Sequence, residues 1–170
     1  MPVLKEKFGF TNIMQVPKVE KVVVNVGYGR HHKDKAVIER VDRTLRAITG
    51  QKPVHNKAKK SISNFKIREG VEVGASVTLR GEAMYDFLYK LVHLVLPRVR
   101  DFRGLSPKGF DCQGNYSFGL KDQTAFPEVS ADMVDQTHGV EVTVATNART
   151  REEGMALLTE IGFPFKQDNK

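Results

Sequence analysis

Gly27-Tyr28-Gly29 follows an apolar run, where a dinucleotide-binding turn would bend around a pyrophosphate. That chemistry needs a third glycine for the close approach of helix and phosphate, and the position that would supply it holds His32. The motif therefore supports only an alternative reading: a small enzyme holding a phosphorylated ligand at Gly27 and Gly29, with lysines as a clamp. His31 and His32 are adjacent, so on any regular element they diverge, and no His-x-x-x-His or carboxylate spacing completes a metal set. His93 sits among apolar neighbours and reads as an interior or boundary histidine, while His55 lies within a basic tract. Cys112 is the single cysteine; it excludes an intramolecular disulfide, and nothing near it would activate the thiol. No nucleophile elbow or Walker-type loop occurs. These residues argue against catalysis, and neither cofactor nor metal is expected.

The cations carry a clearer message. The 170 residues have a net charge of +7, but residues 1–80 hold 17 Lys and Arg against 7 Asp and Glu, a local net of +10. Residues 81–170 hold 10 against 13, a net of −3. From Gln51 to Arg68 six basic residues occur without an acid: Lys52, Lys57, Lys59, Lys60, Lys66 and Arg68. Arg98, Arg100, Arg103 and Lys108 form a smaller cluster opposed only by Asp101. A face that served solubility alone would mix both signs. Unopposed cations attract a polyanion, because phosphate contacts release condensed counterions.

The elements that would position these groups follow from periodicity. Val19 to Val26 reads as a strand with Val22, Val24 and Val26 on one face and Lys21, Val23 and Asn25 on the other. Asp34 is placed to N-cap a helix with Val37, Ile38, Val41, Leu45 and Ile48 on one stripe, closed by Gly50. Pro53 to His55 begins another extended piece. Val71 to Arg80 alternates most clearly, with Val71, Val73, Ala75, Val77 and Leu79 opposite Glu72, Gly74, Ser76, Thr78 and Arg80. A helix from about Gly81 should stop near Leu96, before Pro97. Residues 101–114 read as loop, Asn115 to Leu120 and Val140 to Thr146 as strands, and Thr150 with Glu153 as a capping box opening a last helix.

This order predicts an α+β fold, a largely antiparallel sheet with helices packed on one face. The length favours a single domain over residues 1–170, with a basic protruding loop at about 57–75. No run approaches a membrane span and the opening residues do not resemble a targeting peptide, so the expected place is the cytoplasm, away from any membrane. The uncovered sheet face would carry Asn25, Thr78 and Arg80, a rigid polar platform suited to RNA.

Several blocks then make the match specific. Met14-Gln15-Val16-Pro17, Glu20 to Asn25, Ile48-Thr49-Gly50-Gln51-Lys52-Pro53, Ala58 to Lys66, Arg68-Glu69-Gly70, Val77 to Gly81, Leu96 to Leu105 and Gly114-Asn115-Tyr116 occur in order. Together they resemble the bacterial large-subunit ribosomal protein five family, from about Phe8 to Phe165. The resemblance implies an RNA-recognition-like fold, a ferredoxin-like variant, in the central protuberance of the large ribosomal subunit. It implies binding to 5S rRNA and 23S rRNA, contact with peptidyl-site tRNA through a loop, neighbouring large-subunit proteins, and a bridge to a small-subunit head protein. Carried onto this chain, the 5S-facing positions are Asn25, Gln51, Thr78 and Arg80, with Lys52, Lys57, Lys59 and Lys60 as added charge. The tRNA-contacting loop corresponds to Phe65, Lys66, Ile67, Arg68, Glu69 and Gly70. Phe65 and Ile67 have a second reading, as anchors of the loop base in the core. Two departures stand out: a shorter stretch before Phe8 than the family's N-terminal helix, and Arg30-His31-His32, which reads as solvated loop.

Overall fold

A computed structural model describes residues 2–129 and 137–166. The described elements run α1 (Pro2–Phe8), β1 (Val19–Gly27), α2 (Lys35–Thr49), β2 (Val54–Lys57), β3 (Glu72–Leu79), α3 (Gly81–Lys90), β4 (Tyr116–Leu120), β5 (Val140–Thr146) and α4 (Arg151–Ile161), joined by short 3-10 turns. The five strands form an antiparallel sheet in the order β2-β3-β1-β5-β4. β1 and β2 are separated by β3, the arrangement of a split βαβ unit. The α+β expectation holds.

The chain divides into two compact units: residues 1–22, 80–118 and 143–170, and residues 23–79 with 119–142. In the second unit Val24 and Val26 of β1, and Ala75, Val77 and Leu79 of β3, are buried with Val41, Leu45 and Ile48 of α2. Each such valine or leucine withdrawn from water contributes about 1.5–3 kcal/mol before chain entropy is subtracted. The side chain of Asp34 caps α2 by accepting from the Ala36 N–H at 3.0 Å, and Gly50 ends it in the left-handed conformation at φ 69°. Both ends are as the sequence predicts.

In the first unit α3 does not continue as an α-helix to Leu96. Leu91–Val95 widens into a π turn, and Leu96–Arg98 tightens into a 3-10 turn. Pro97 supplies the reason: it has no N–H to donate, and its ring would collide with the carbonyl one turn back, so the ladder shifts by a residue. At α4 the Thr150 hydroxyl accepts from the Glu153 N–H at 3.3 Å. The Glu153 carboxylate reaches back to the Arg149 N–H at 2.9 Å, one residue earlier than a capping box requires.

An aromatic cluster in this unit had no periodic signature. Tyr116 stands 4.4 Å from Phe110 and 5.2 Å from Phe165, ring centre to ring centre, and Phe110 and Phe165 are 5.3 Å apart. The Tyr116 hydroxyl donates to the Ser106 carbonyl at 2.9 Å, and burial pushes its pKa up to about 12. Asp111 organises the preceding loop, its carboxylate accepting from the N–H groups of Gln113 and Asn115 and from the Asn115 amide at 2.8–2.9 Å. Asn115 in turn accepts from the Thr146 N–H at 2.9 Å. Gly114-Asn115-Tyr116 is therefore a packing motif in this chain.

His138, in the second unit, is half-buried, its backbone N–H donating to Gln123 Oε1 at 2.6 Å. Burial, reinforced by Arg40, lowers its pKa below the ordinary histidine value, although a hydrogen bond with the Gly139 carbonyl opposes this. The unfolded chain therefore binds the proton first as the solution is acidified, and stability falls as pH drops through the ordinary histidine value of about 6.5. Melting temperature measured between neutral and mildly acidic pH should show this slope, and His138→Asn should flatten it.

Candidate nucleic-acid interface

The outward side of the second unit's strands is polar and satisfies itself across strands. Asn25 on β1 donates through Nδ2 to Glu141 Oε2 on β5 at 3.1 Å. Asn56 on β2 donates to the Ser76 hydroxyl on β3 at 3.1 Å. A carboxylate only accepts, so the bond to Glu141 fixes the amide of Asn25 and leaves its carbonyl oxygen as the free acceptor. That oxygen lies 3.9 Å from where a side chain on Gly74 would begin, so the glycine keeps the space above β3 open. Thr78, on the same side of β3, is exposed.

Asn25 and Thr78 are thus brought together on adjacent strands of one polar face, as alternation predicts. Arg80 lies one residue beyond β3, exposed, with extended backbone (φ −141°, ψ 162°), and it precedes α3 without a side-chain capping bond. Gln51 is exposed just past the α2 terminus, where its N–H lies 3.3 Å from the Thr49 hydroxyl. It belongs to a helix end and not to the sheet.

The face itself is less basic than expected. Asn25 meets an acid there, Glu141, and Glu72 shares the outward side of β3; Lys21 shares that of β1, while the remaining cations lie outside the strands' centres: Lys52 in the α2–β2 connection, Lys57 at the end of β2, and Lys59 and Lys60 just beyond. These last four are exposed, and among the described residues no ion pair involves them. Alternation locates residues on a face, but the tips of strands and turns escape it.

β2 is held at its start by a polar chain. The Tyr28 hydroxyl lies 3.0 Å from His55 Nδ1, His55 Nε2 lies 3.8 Å from Asp42, and Asp42 pairs with Arg46 at 2.7 Å. Burial raises the Tyr28 pKa, helped by Glu72 and Asp42. His55 is thus tied to helix α2 and to Tyr28 just past β1, a structural role within the basic tract.

The loop after β2 is a closed hairpin. Ala58 and Val71 are joined at 2.8 Å, Gly70 and Ala58 at 3.0 Å, and Ile62 and Ile67 form a two-way bridge at 2.9 and 3.2 Å. The Glu69 N–H donates to the Ser61 hydroxyl at 2.9 Å, and Lys66 turns the tip in the left-handed conformation at φ 55°. Phe65 is 68% exposed, so it does not anchor the loop; Ile67 is half-buried against the Gly29 turn and does. Lys66, Arg68, Glu69 and Gly70 are exposed. His32, read from sequence as solvated, is half-buried with Nδ1 2.9 Å from the Gly29 carbonyl. No periodic signal marks it, because Gly29–His31 is a 3-10 turn. That turn also separates Gly29 from the start of α2 at Lys35, so no helix N-terminus meets the Gly27/Gly29 bend as a dinucleotide turn requires.

Comparison with known proteins places the chain in one family. The family pattern described as ribosomal protein L5 matches residues 12–68, and the pattern for the C-terminus of the same ribosomal family matches residues 72–165. The chain is 56% identical over 167 residues to the large ribosomal subunit protein uL5 of Halothermothrix orenii, covering 98% of this chain and 93% of that protein. It is 54% identical to the protein of the same name from Kocuria rhizophila (97% and 87% covered) and 55% identical to that from Thermosipho africanus (98% and 92% covered). The chain belongs to the ribosomal protein L5 family: a structural protein of the large ribosomal subunit, at work in the cytoplasm, and not an enzyme.

Proposed function

We propose that the polar face bearing Asn25 and Thr78, together with Gln51 and Arg80, docks on 5S rRNA, and that Lys52, Lys57, Lys59 and Lys60 add sequence-independent phosphate contacts. The observation that supports this reading most is the pairing of open hydrogen-bonding groups on a rigid sheet with exposed cations that form no ion pair among the described residues. Asn25 would offer an acceptor to a 2′-hydroxyl or a base amino group. The chain would sit in the central protuberance and touch 23S rRNA. It would meet peptidyl-site tRNA through the hairpin residues Phe65 to Gly70, and neighbouring large-subunit proteins and a small-subunit head protein elsewhere. A closed hairpin with an exposed aromatic tip is a fitting support for a contact that is made and broken repeatedly.

Chemical footprinting of 5S rRNA with and without the purified chain tests the assignment. A compact protected patch is expected; unchanged reactivity overturns it. In filter binding, Lys59→Ala combined with Lys60→Ala should flatten the dependence of log K on log salt by about one to two units, because each phosphate left without its cation takes about 0.9 from the slope. An unaltered slope would place both lysines away from the RNA.

A further inference from the structure

Along α3 and the π turn that follows it, Glu82, Asp86, Tyr89 and His93 come at steps of four, three and four, so they fall in one row. Tyr85 stands beside the row, one turn from Tyr89. All five residues are exposed, Tyr85 at 51% and Tyr89 at 67%, and the Tyr89 and His93 rings are 4.4 Å apart, centre to centre. The opposite side of the helix carries Met84, Phe87 and Leu88 into the core. The two tyrosines therefore add nothing to that core, and among the described residues no ion pair takes Glu82 or Asp86. We propose that this row binds an extended, lysine- and arginine-rich segment of a partner protein, its cations laid over the tyrosine rings and paired with the two carboxylates.

Each part of the row suits a cation. The face of a phenol ring is electronegative and attracts an ammonium or a guanidinium group, and a carboxylate accepts hydrogen bonds from either. Tyrosine also offers a large contact area at small entropic cost, which is why it gathers where proteins meet. Glu82 lies in the first turn, where an acid favours the helix dipole, but Asp86 is a turn further on and has no such role. Arg80 precedes the helix, and Lys90, half-buried at the margin, has its ammonium 5.8 Å from the centre of the Phe87 ring. Charge decides between partners: both carboxylates would repel a phosphate, so nucleic acid is disfavoured here. With a net charge of +7, the chain as a whole repels a cationic segment, so holding one requires a local site of this kind. This surface lies outside the proposed RNA contacts and asks for a guest of opposite sign.

Fluorescence anisotropy of the full chain with labelled nona-arginine, at fixed salt, tests it. Tyr85→Ala with Tyr89→Ala should weaken binding about five- to thirtyfold, whereas Tyr85→Phe with Tyr89→Phe, which keeps both rings, should stay within about twofold of wild type. Glu82→Gln with Asp86→Asn should weaken it about threefold or more. Removing the same charge from α4, by Glu152→Gln with Glu160→Gln, should change it less than about twofold. Equal losses from the two acidic pairs would mean diffuse attraction and overturn the site, as would no binding by the wild-type chain. If the Tyr→Ala pair instead lowers affinity for 5S rRNA as much as for the peptide, the row is an RNA contact. If sedimentation equilibrium shows a dimer that the same pair dissolves, the occupant is a second copy of the chain. Either result overturns the proposal, while the footprint on 5S rRNA decides the RNA reading separately.

Discussion

Gly154→Ala should lower the urea midpoint of unfolding sharply, although alanine is the better helix former. Gly154 lies inside α4, and a Cβ there would overlap the Gly114 carbonyl oxygen and come within 2.6 Å of the Gly114 Cα. Both obstacles are backbone, which cannot swing aside as a side chain would. Alanine in a helix interior gains about 1 kcal/mol over glycine. Overpacking costs about 1–3 kcal/mol where side chains can adjust, and more where they cannot, so the clash wins. Gly114 is itself committed, with φ at +80° and a would-be Cβ 2.8 Å from Ala148 Cβ and from the Thr150 carbonyl oxygen. The two glycines let α4 and the 111–115 loop touch backbone to backbone. Gly119→Ala is the control: nothing lies within 4 Å of its Cβ direction, so the midpoint should stay near wild type. A Gly154→Ala protein as stable as wild type would refute the packing argument.

Arg80→Ala should weaken 5S rRNA binding by about 1–3 kcal/mol, roughly five- to 150-fold, while leaving stability nearly unchanged. The residue is exposed, it makes no capping bond at α3, and among the described residues no ion pair takes its guanidinium. Nothing in the fold therefore depends on the side chain, and a loss of affinity can be assigned to the RNA contact. Arg80→Lys separates shape from charge: a two-pronged contact to phosphate is lost with lysine, whereas a point charge is kept. Filter binding of 5S rRNA at fixed salt reads both variants. Equal affinity for wild type and Arg80→Ala would remove Arg80 from the interface, and full rescue by lysine would leave it a charge and nothing more.

The two substitutions probe different kinds of information in the chain. The strands β1, β3 and β5, the Asp34 and Gly50 caps of α2 and the outward placement of Asn25 and Thr78 were legible in the residues, because alternation and capping are local and repeat with a known period. The π turn at Leu91–Val95 was half legible: Pro97 announces that the helix must end, but whether the ladder stops or widens depends on what Leu91, Val92 and Val95 are buried against. The aromatic cluster around Tyr116 was not legible, since it joins a loop, a strand and the segment after α4 without common spacing.

The candidate site divides along the same line. Composition alone determined that the first half of the chain is cationic, that its tract from Gln51 to Arg68 holds no acid, and that no catalytic or metal set is spelled out along it. Only tertiary structure decided that Glu141 would arrive from β5 to hold the Asn25 amide, and that His32 and Lys33 would meet Lys66 and Arg68 across a cleft. The physical reason is range. Periodicity, capping and net charge act between neighbours and can be read in order, whereas a cross-strand bond or a shared cavity needs the chain to return to the same place, and that return is set by the packing of the whole core.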